Sequence, residues 1–220
     1  MTRTWFISSV LLLASCGPKT LTLPEEPVGR AATCGVVAAA EARASTPDIK
    51  APLPFEAMGR ILHYPLLAGS GGGSFSPDTA TAVQKRMTEL QDEVTEGKWQ
   101  QLAPACRAAF PASGSADGKL PADPFEAQLG CYELGDFVRS ALEEQGSYDN
   151  ELRSYRDLRD KLDTAIGTGL RSRVGGDFDA QQQARRKALA TISKAGPPMP
   201  VMRQCIERFG CGLRSIEMRE

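Results

Sequence analysis

The chain has 220 residues, enough for one large domain or two small ones. Its 26 Lys and Arg residues are balanced by 27 Asp and Glu residues, and this balance argues against nucleic acid as a partner, which would require a basic excess. Aromatic residues make up only 6% of the chain, whereas Ala and Leu are plentiful, a composition that suits close-packed helices better than sheets.

The start of the chain has the features of an export signal. Arg3 precedes a largely apolar run over residues 5–14, which is typical of the hydrophobic part of a signal peptide. The run is shorter than the ~20 apolar residues that a membrane-spanning helix requires. It ends in Leu13-Ala14-Ser15-Cys16, which resembles the lipobox of bacterial lipoproteins, where small residues precede an obligatory cysteine.

The resemblance implies a lipid anchor at Cys16. A diacylglycerol would be attached to the sulfur, the chain would be cut before this residue, and the new amine would usually be acylated, for example with palmitate. Stable anchoring requires more than one acyl chain, which these modifications would supply. Gly17 follows instead of the Asp that retains lipoproteins in the inner membrane of enteric bacteria, so we expect the outer membrane, facing the periplasm. The alternatives are an ordinary secretory signal with an incidental Cys16, or a buried N-terminal strand.

The sequence therefore divides into a signal peptide over residues 1–15, a lipidated flexible tether over residues 16–30 and a helical domain over residues 31–220. Three prolines and the lack of a helical period over residues 17–30 predict the tether. Fully extended, it would reach at most about 45 Å and would let the domain stand clear of the bilayer.

The helical domain begins with two short predicted helices. The first is the Ala-rich stretch Ala31–Ala44, and the second runs from Pro54 to about Tyr64. Pro65 should limit the second helix, because proline disfavours the helical conformation of the residue before it. The glycine run over residues 69–74 follows, and we interpret it as a flexible break.

The longer helices have clear start signals. Ser76 is a good N-cap with Pro77 at the first helical position, and Asp123 begins a capping box. These signals predict helices over residues 76–96 and 123–145, and another over residues 147–166. Helical spacing continues over residues 99–110, where Pro104 should kink or restart the helix. Two more helices are expected, over residues 177–195 and up to Gly210. The predicted fold is all-α, a bundle of about seven or eight helices without a sheet.

Disulfide bonds are expected because an exported protein meets an oxidising compartment. Apart from Cys16, the candidates are Cys34, Cys106, Cys131, Cys205 and Cys211. The odd number leaves one thiol free or bonded to another molecule. We favour Cys106 with Cys131, which come level if their helices are antiparallel and the loop between them folds back. Cys34 could instead bond Cys205 or Cys211, and these two could bond each other only if the helix stops at Gly210.

No sequence pattern indicates a metal, a cofactor or a catalytic centre. There is no C-x-x-C motif and His63 is the single histidine, so we expect neither a zinc site nor covalently attached haem. His63 lies near the predicted helix end, where we expect it to cap carbonyl groups and not to act in catalysis. The glycine run over residues 69–74 precedes a helix, as phosphate loops do, but it lacks their Lys-Ser/Thr ending and is interpreted as a hinge or linker.

The predicted function is that of a non-enzymatic envelope lipoprotein, which binds another envelope protein or has a structural role. A second hypothesis is a small-ligand carrier with an apolar cavity near Trp99, Tyr148 and Tyr155. A third is a carboxylate-based enzyme, such as a cell-wall hydrolase, because two acidic side chains that are distant in sequence can meet in the fold.

Overall fold

The computed structural model describes residues 21–48, 50–115 and 118–210, so Cys16 and Cys211 lie outside the described part. Within these ranges the chain forms eight α-helices and three short 3-10 helices, and no strand. The predicted all-α fold is confirmed. The helices are α1 (Pro27–Ala44), α2 (Phe55–Gly69), α3 (Pro77–Glu96), α4 (Ala103–Ala109), α5 (Pro124–Leu142), α6 (Asp149–Val174), α7 (Phe178–Ser193) and α8 (Pro198–Phe209).

The first helix starts inside the stretch that the sequence predicts to be a tether. The carboxylate of Glu26 accepts hydrogen bonds from the backbone N–H groups of Val28 and Gly29, and Pro27 occupies the first turn. This is an N-terminal cap built from a glutamate, which sequence rules based on Ser, Thr, Asp and Asn do not anticipate. The prediction that residues 27–30 belong to a flexible tether is therefore wrong.

The second helix continues through Pro65 to Gly69, so the prediction that Pro65 limits it is wrong. A proline inside a helix removes one backbone hydrogen bond and costs about 3 kcal/mol. Around this proline, Ile61, Leu62 and Leu66 are buried, and each buried aliphatic side chain contributes about 1.5–3 kcal/mol. Tertiary packing therefore outweighs the local preference.

The apolar residues form two clusters, one for each half of the chain. The N-terminal cluster combines α1, α3 and α4, and the C-terminal cluster combines α5 to α8. Helix α2 belongs to both, because Ile61 and Tyr64 pack into the first cluster and Leu62 and Leu66 into the second. It contacts α1 and α3 on one side and α7 and α8 on the other. The middle of α2 is thus the joint between the two halves.

Each cluster contains one disulfide bond. Cys34 on α1 bonds Cys106 on α4, and Cys131 on α5 bonds Cys205 on α8. The cysteines of the two bonds are 72 and 74 residues apart, and each bond stabilises the fold by about 4 kcal/mol in the chain-entropy model. All four cysteines are buried.

These pairs correct the predicted connectivity. Cys106 is not bonded to Cys131, because α4 packs against α1, whereas α5 packs against α6, α7 and α8. The other predicted bonds, of Cys34 to Cys205 or Cys211 and of Cys205 to Cys211, are also wrong, because Cys34 is bonded to Cys106 and Cys205 to Cys131. That four of the five candidate cysteines form disulfide bonds is as expected.

The sixth helix is longer than the sequence predicts. It runs to Val174, eight residues beyond the expected end at Ile166, and Leu170 is fully buried on the extension. Helices α3 and α8 end where Gly97 and Gly210 predict, and α4 restarts with Pro104 in its first turn. Of the helices described, none is long and apolar enough to span a bilayer.

Candidate functional site

A cleft lies between the start of α5, the end of α6 and one face of α7. We call it the α5–α7 cleft; its volume is about 610 Å³ and the turn over residues 72–74 closes one side. Most of its wall is apolar, and the side chains that form this wall are Phe125, Leu129, Leu170, Ala180, Ala184 and Ala188. Its volume falls within the range of ~300–1,000 Å³ that is typical of ligand pockets.

The wall at α5 depends on a close approach between Phe125 and Gly169. A Cβ atom added at Gly169 would lie 2.0 Å from Cε2 of Phe125, so only glycine leaves room for the ring. The guanidinium carbon of Arg173 lies 4.6 Å from the centre of the same ring, a cation–π distance. Arg173 is also 3.5 Å from Asp123, the residue that caps α5. These contacts fix the aromatic wall of the cleft.

Three charged side chains line the cleft, two of them cationic and one anionic. Arg173 and Lys187 are cationic, and Glu126 is the one acidic residue on the wall among the residues described. Arg173 is partly neutralised by Asp123. Within the described ranges, neither the ammonium group of Lys187 nor the carboxylate of Glu126 forms an ion pair, whereas Arg173 does.

The turn between α6 and α7 exposes apolar side chains beside this cleft. Phe178 is 71% exposed and Val174 is 36% exposed, and they are the large exposed hydrophobic residues of the described chain. Val174 lines the cleft and Phe178 is the first residue of α7. Exposed apolar surface at the rim of an apolar cleft is typical of a binding site.

His63 lies in the buried interface between α2 and α7 and not at a helix end. Its Nε2–H donates a hydrogen bond to the carbonyl oxygen of Ser193 (2.7 Å), so the neutral ring caps the last turn of α7. The expectation that it caps carbonyl groups holds, but for a different helix. Burial lowers the pKa of His63 from its ordinary value to about 4.

Two serine hydroxyls complete this buried polar cluster. Oγ of Ser70 lies 2.8 Å from Oγ of Ser193 and donates to the carbonyl oxygen of Leu66. The two serines and His63 are at most 1% exposed, and the ring of His63 bonds to the Ser193 backbone instead of its hydroxyl. This geometry lacks the pairing of base and nucleophile that hydrolytic enzymes use.

The α5–α7 cleft does not contain the pair of carboxylates that the hydrolase hypothesis requires. Glycoside hydrolysis uses two carboxyl groups across the scissile bond, and the cleft wall offers Glu126 alone among the described residues. Burial raises the pKa of Glu133, as a general acid would require, but Glu133 is not on the cleft wall and its carboxylate lies 2.5 Å from Arg185.

Trp99, Tyr148 and Tyr155, which were expected to surround one apolar cavity, do not lie together. Tyr148 and Tyr155 are buried in the C-terminal cluster, where both rings contact Phe55. Trp99 packs against the N-terminal cluster, in the other half of the molecule. The two tyrosines therefore lie inside the C-terminal half and Trp99 is partly buried in the N-terminal half, so the three side chains do not line one pocket.

Two sequence signals could have located the cleft. Leu170 continues the four-residue spacing from Leu162 and Ile166, which extends α6 to the residues that form the wall. The alanines at positions 180, 184 and 188 repeat with the same spacing on α7. The glycine run over residues 69–74, predicted to be a hinge, forms the turn between α2 and α3 and supplies Gly72 and Gly73 to the cleft.

Metal ligands are not grouped in the described part of the chain, where no three His, Cys, Asp or Glu side chains lie close enough to hold an ion. Comparisons with known protein families, with curated proteins and with solved structures gave no significant match to this chain.

Proposed function

We propose that this protein is a lipid-anchored, non-enzymatic binding module of the cell envelope, which carries a small apolar ligand in the α5–α7 cleft. The observation that carries the proposal is the cleft itself, a concave apolar space of about 610 Å³ lined by Phe125, Leu129 and Leu170. Apolar surface of this shape is favourable to cover, at about 25 cal/mol per Å² removed from water.

The location in the proposal comes from the first part of the chain. Lipid on Cys16, as the lipobox-like residues 13–16 imply, would hold the domain at a membrane surface. The residues between Cys16 and the start of α1 at Pro27 would form a shorter tether than the sequence analysis expects. A membrane-anchored domain of this kind is placed where apolar ligands are concentrated.

Native mass spectrometry tests the proposal. The full-length protein would be extracted from envelopes with digitonin, whose rigid ring system is unlike an alkyl chain, and compared with an Ala184→Trp variant that fills the cleft. We expect the wild-type protein to retain a bound small molecule that the variant lacks. Ala82→Trp is the matched control, since Ala82 is exposed on α3 and away from the cleft wall. A wild-type protein that carries no bound species after extraction would contradict the proposal.

A second candidate function is the binding of another envelope protein. The exposed Phe178 and Val174 favour it, because exposed apolar surface marks sites at which proteins bind partners. A photoreactive amino acid at position 178 should then cross-link to one defined protein in intact envelopes, while the same amino acid at position 82 should not. Absence of a defined protein adduct at position 178 would exclude this candidate.

A further inference from the structure

The charged side chains of the α5–α7 cleft indicate which apolar ligands it can take. An apolar wall surrounds most of the space, and the cationic groups of Arg173 and Lys187 line it together with the single carboxylate of Glu126. A purely apolar ligand would gain nothing from these charges. A ligand with an apolar chain and a negatively charged head would both cover the wall and approach the cations.

The two cations have different roles. Arg173 is held in place by the ring of Phe125 and by the carboxylate of Asp123, which partly neutralises its charge. Lys187 is exposed and has no carboxylate partner in the described part of the chain. Its ammonium group can meet an incoming anion without breaking an ion pair, so we assign it the main contact with the head group. Glu126 also forms no ion pair in the described ranges, and its carboxylate opposes that contact.

We propose that the α5–α7 cleft binds a single-chain anionic amphiphile, whose alkyl chain lies against Phe125 and Leu170 and whose head group is met by Lys187. The inference rests on the proposed function, because it names the class of ligand for the same cleft. A free fatty acid and a single-chain phospholipid share this chemistry. The cleft volume of about 610 Å³ lies in the range of sites for one small ligand, and this size favours a single alkyl chain.

Displacement of a fluorescent alkyl carboxylate tests the inference. The probe would be bound to the full-length protein in phosphatidylcholine nanodiscs, with empty nanodiscs as the blank, at low ionic strength. The competitors share a twelve-carbon chain and differ in the head group: dodecanoate, lauroyl lysophosphatidylglycerol, dodecanol and dodecyltrimethylammonium. We expect the two anions to bind about tenfold more tightly than the cation. If dodecanoate displaces the probe at the lower concentration, the ligand is a fatty acid. If lauroyl lysophosphatidylglycerol does so, the ligand is a lysophospholipid.

Charge variants make the test specific to the cleft. Lys187→Gln should weaken dodecanoate binding about three- to fivefold and leave dodecanol unchanged, and Glu126→Gln should strengthen dodecanoate binding. Lys85→Gln is the control, because Lys85 is exposed on α3 and is not on the cleft wall.

The outcomes separate the inference from the proposed function. Equal affinity for all four head groups, or no effect of Lys187→Gln, would overturn the inference and leave apolar binding intact. If no alkyl compound displaced the probe from the wild-type protein, the inference would be overturned. That result would also exclude alkyl compounds in general as ligands of the cleft. A bound species of another chemistry in the mass spectrum would then still support the proposed function.

Discussion

The single histidine shows how a buried polar side chain can make the stability of this protein depend on pH. His63 is fully buried and its neutral ring donates one hydrogen bond to Ser193. Its pKa is lowered by burial to about 4, whereas an unfolded chain has the ordinary value of 6.5. Between these values the unfolded state binds the proton more readily than the folded state. The stability associated with the neutral ring is therefore complete above pH 6.5 and is lost as the pH falls toward 4.

We predict that lowering the pH from 7 to 5 reduces the free energy of unfolding by about 2 kcal/mol through His63. Urea denaturation at the two pH values measures this change. His63→Gln is less stable at pH 7, because the substituted side chain must fit the same buried space, but it should lose less stability between pH 7 and pH 5. An equal loss in the variant and in the wild-type protein would assign the pH dependence to other groups.

At the scale of elements, the α5–α6 contact shows how one glycine shapes the cleft. Gly169 faces the ring of Phe125 at a distance that leaves no space for a Cβ atom, whereas Gly167 in the same helix has open space around it. Glycine in a helix interior is less stable than alanine by about 0.5–1 kcal/mol. The same substitution at the two positions should therefore have opposite effects.

We predict that Gly169→Ala destabilises the fold by about 1–3 kcal/mol, because the ring of Phe125 must move out of its position. Gly167→Ala should stabilise it by about 0.5–1 kcal/mol. Thermal denaturation of both variants measures the difference. Two stabilised variants would mean that Phe125 does not pack on Gly169.

Helix termini and helix type were largely predictable from local sequence, and long-range pairing was not. Ser76 and Asp123 each accept the capping hydrogen bond that their position predicts, from Thr79 and Glu126 respectively. Pro65 was misinterpreted because local rules cannot weigh the burial of its neighbours. The predicted disulfide pairs are wrong, because cysteines can bond only if their helices belong to the same cluster. The membership of each cluster depends on how α2 packs between the two halves, which local sequence does not show.

The candidate site was harder to predict than the fold. Its wall comes from α5, α6, α7 and the turn over residues 72–74, and this turn is separated from α7 by more than half of the described chain. Each lining residue has the properties expected of an ordinary helix or turn position, and only the cleft between these elements marks the site. The cationic Arg173 and Lys187 were not singled out, because nothing in the local sequence distinguishes them from solvated surface residues.

At the scale of the whole molecule, two apolar clusters, each containing its own disulfide bond, are joined by α2. Lipid on Cys16 would hold this body at a membrane. We predict that a clickable palmitate analogue labels the wild-type protein in cells and that Cys16→Ser abolishes the label, because the sulfur carries the diacylglycerol. The label is detected on the immunoprecipitated protein after electrophoresis. Cys211→Ser is the matched control and should keep the label. Label that persists on Cys16→Ser would place the acyl chains elsewhere or refute the anchor.

Photoaffinity labelling tests most directly whether the α5–α7 cleft is the binding site. A twelve-carbon carboxylate with a diazirine on its chain would be photolysed with the full-length protein in nanodiscs, and the modified residues located by peptide mass spectrometry. We predict adducts on the cleft wall, at Phe125, Leu129, Leu170 and Ala184 and their immediate neighbours, that unlabelled dodecanoate suppresses. Saturable adducts confined to the N-terminal cluster, or no saturable adducts at all, would contradict it.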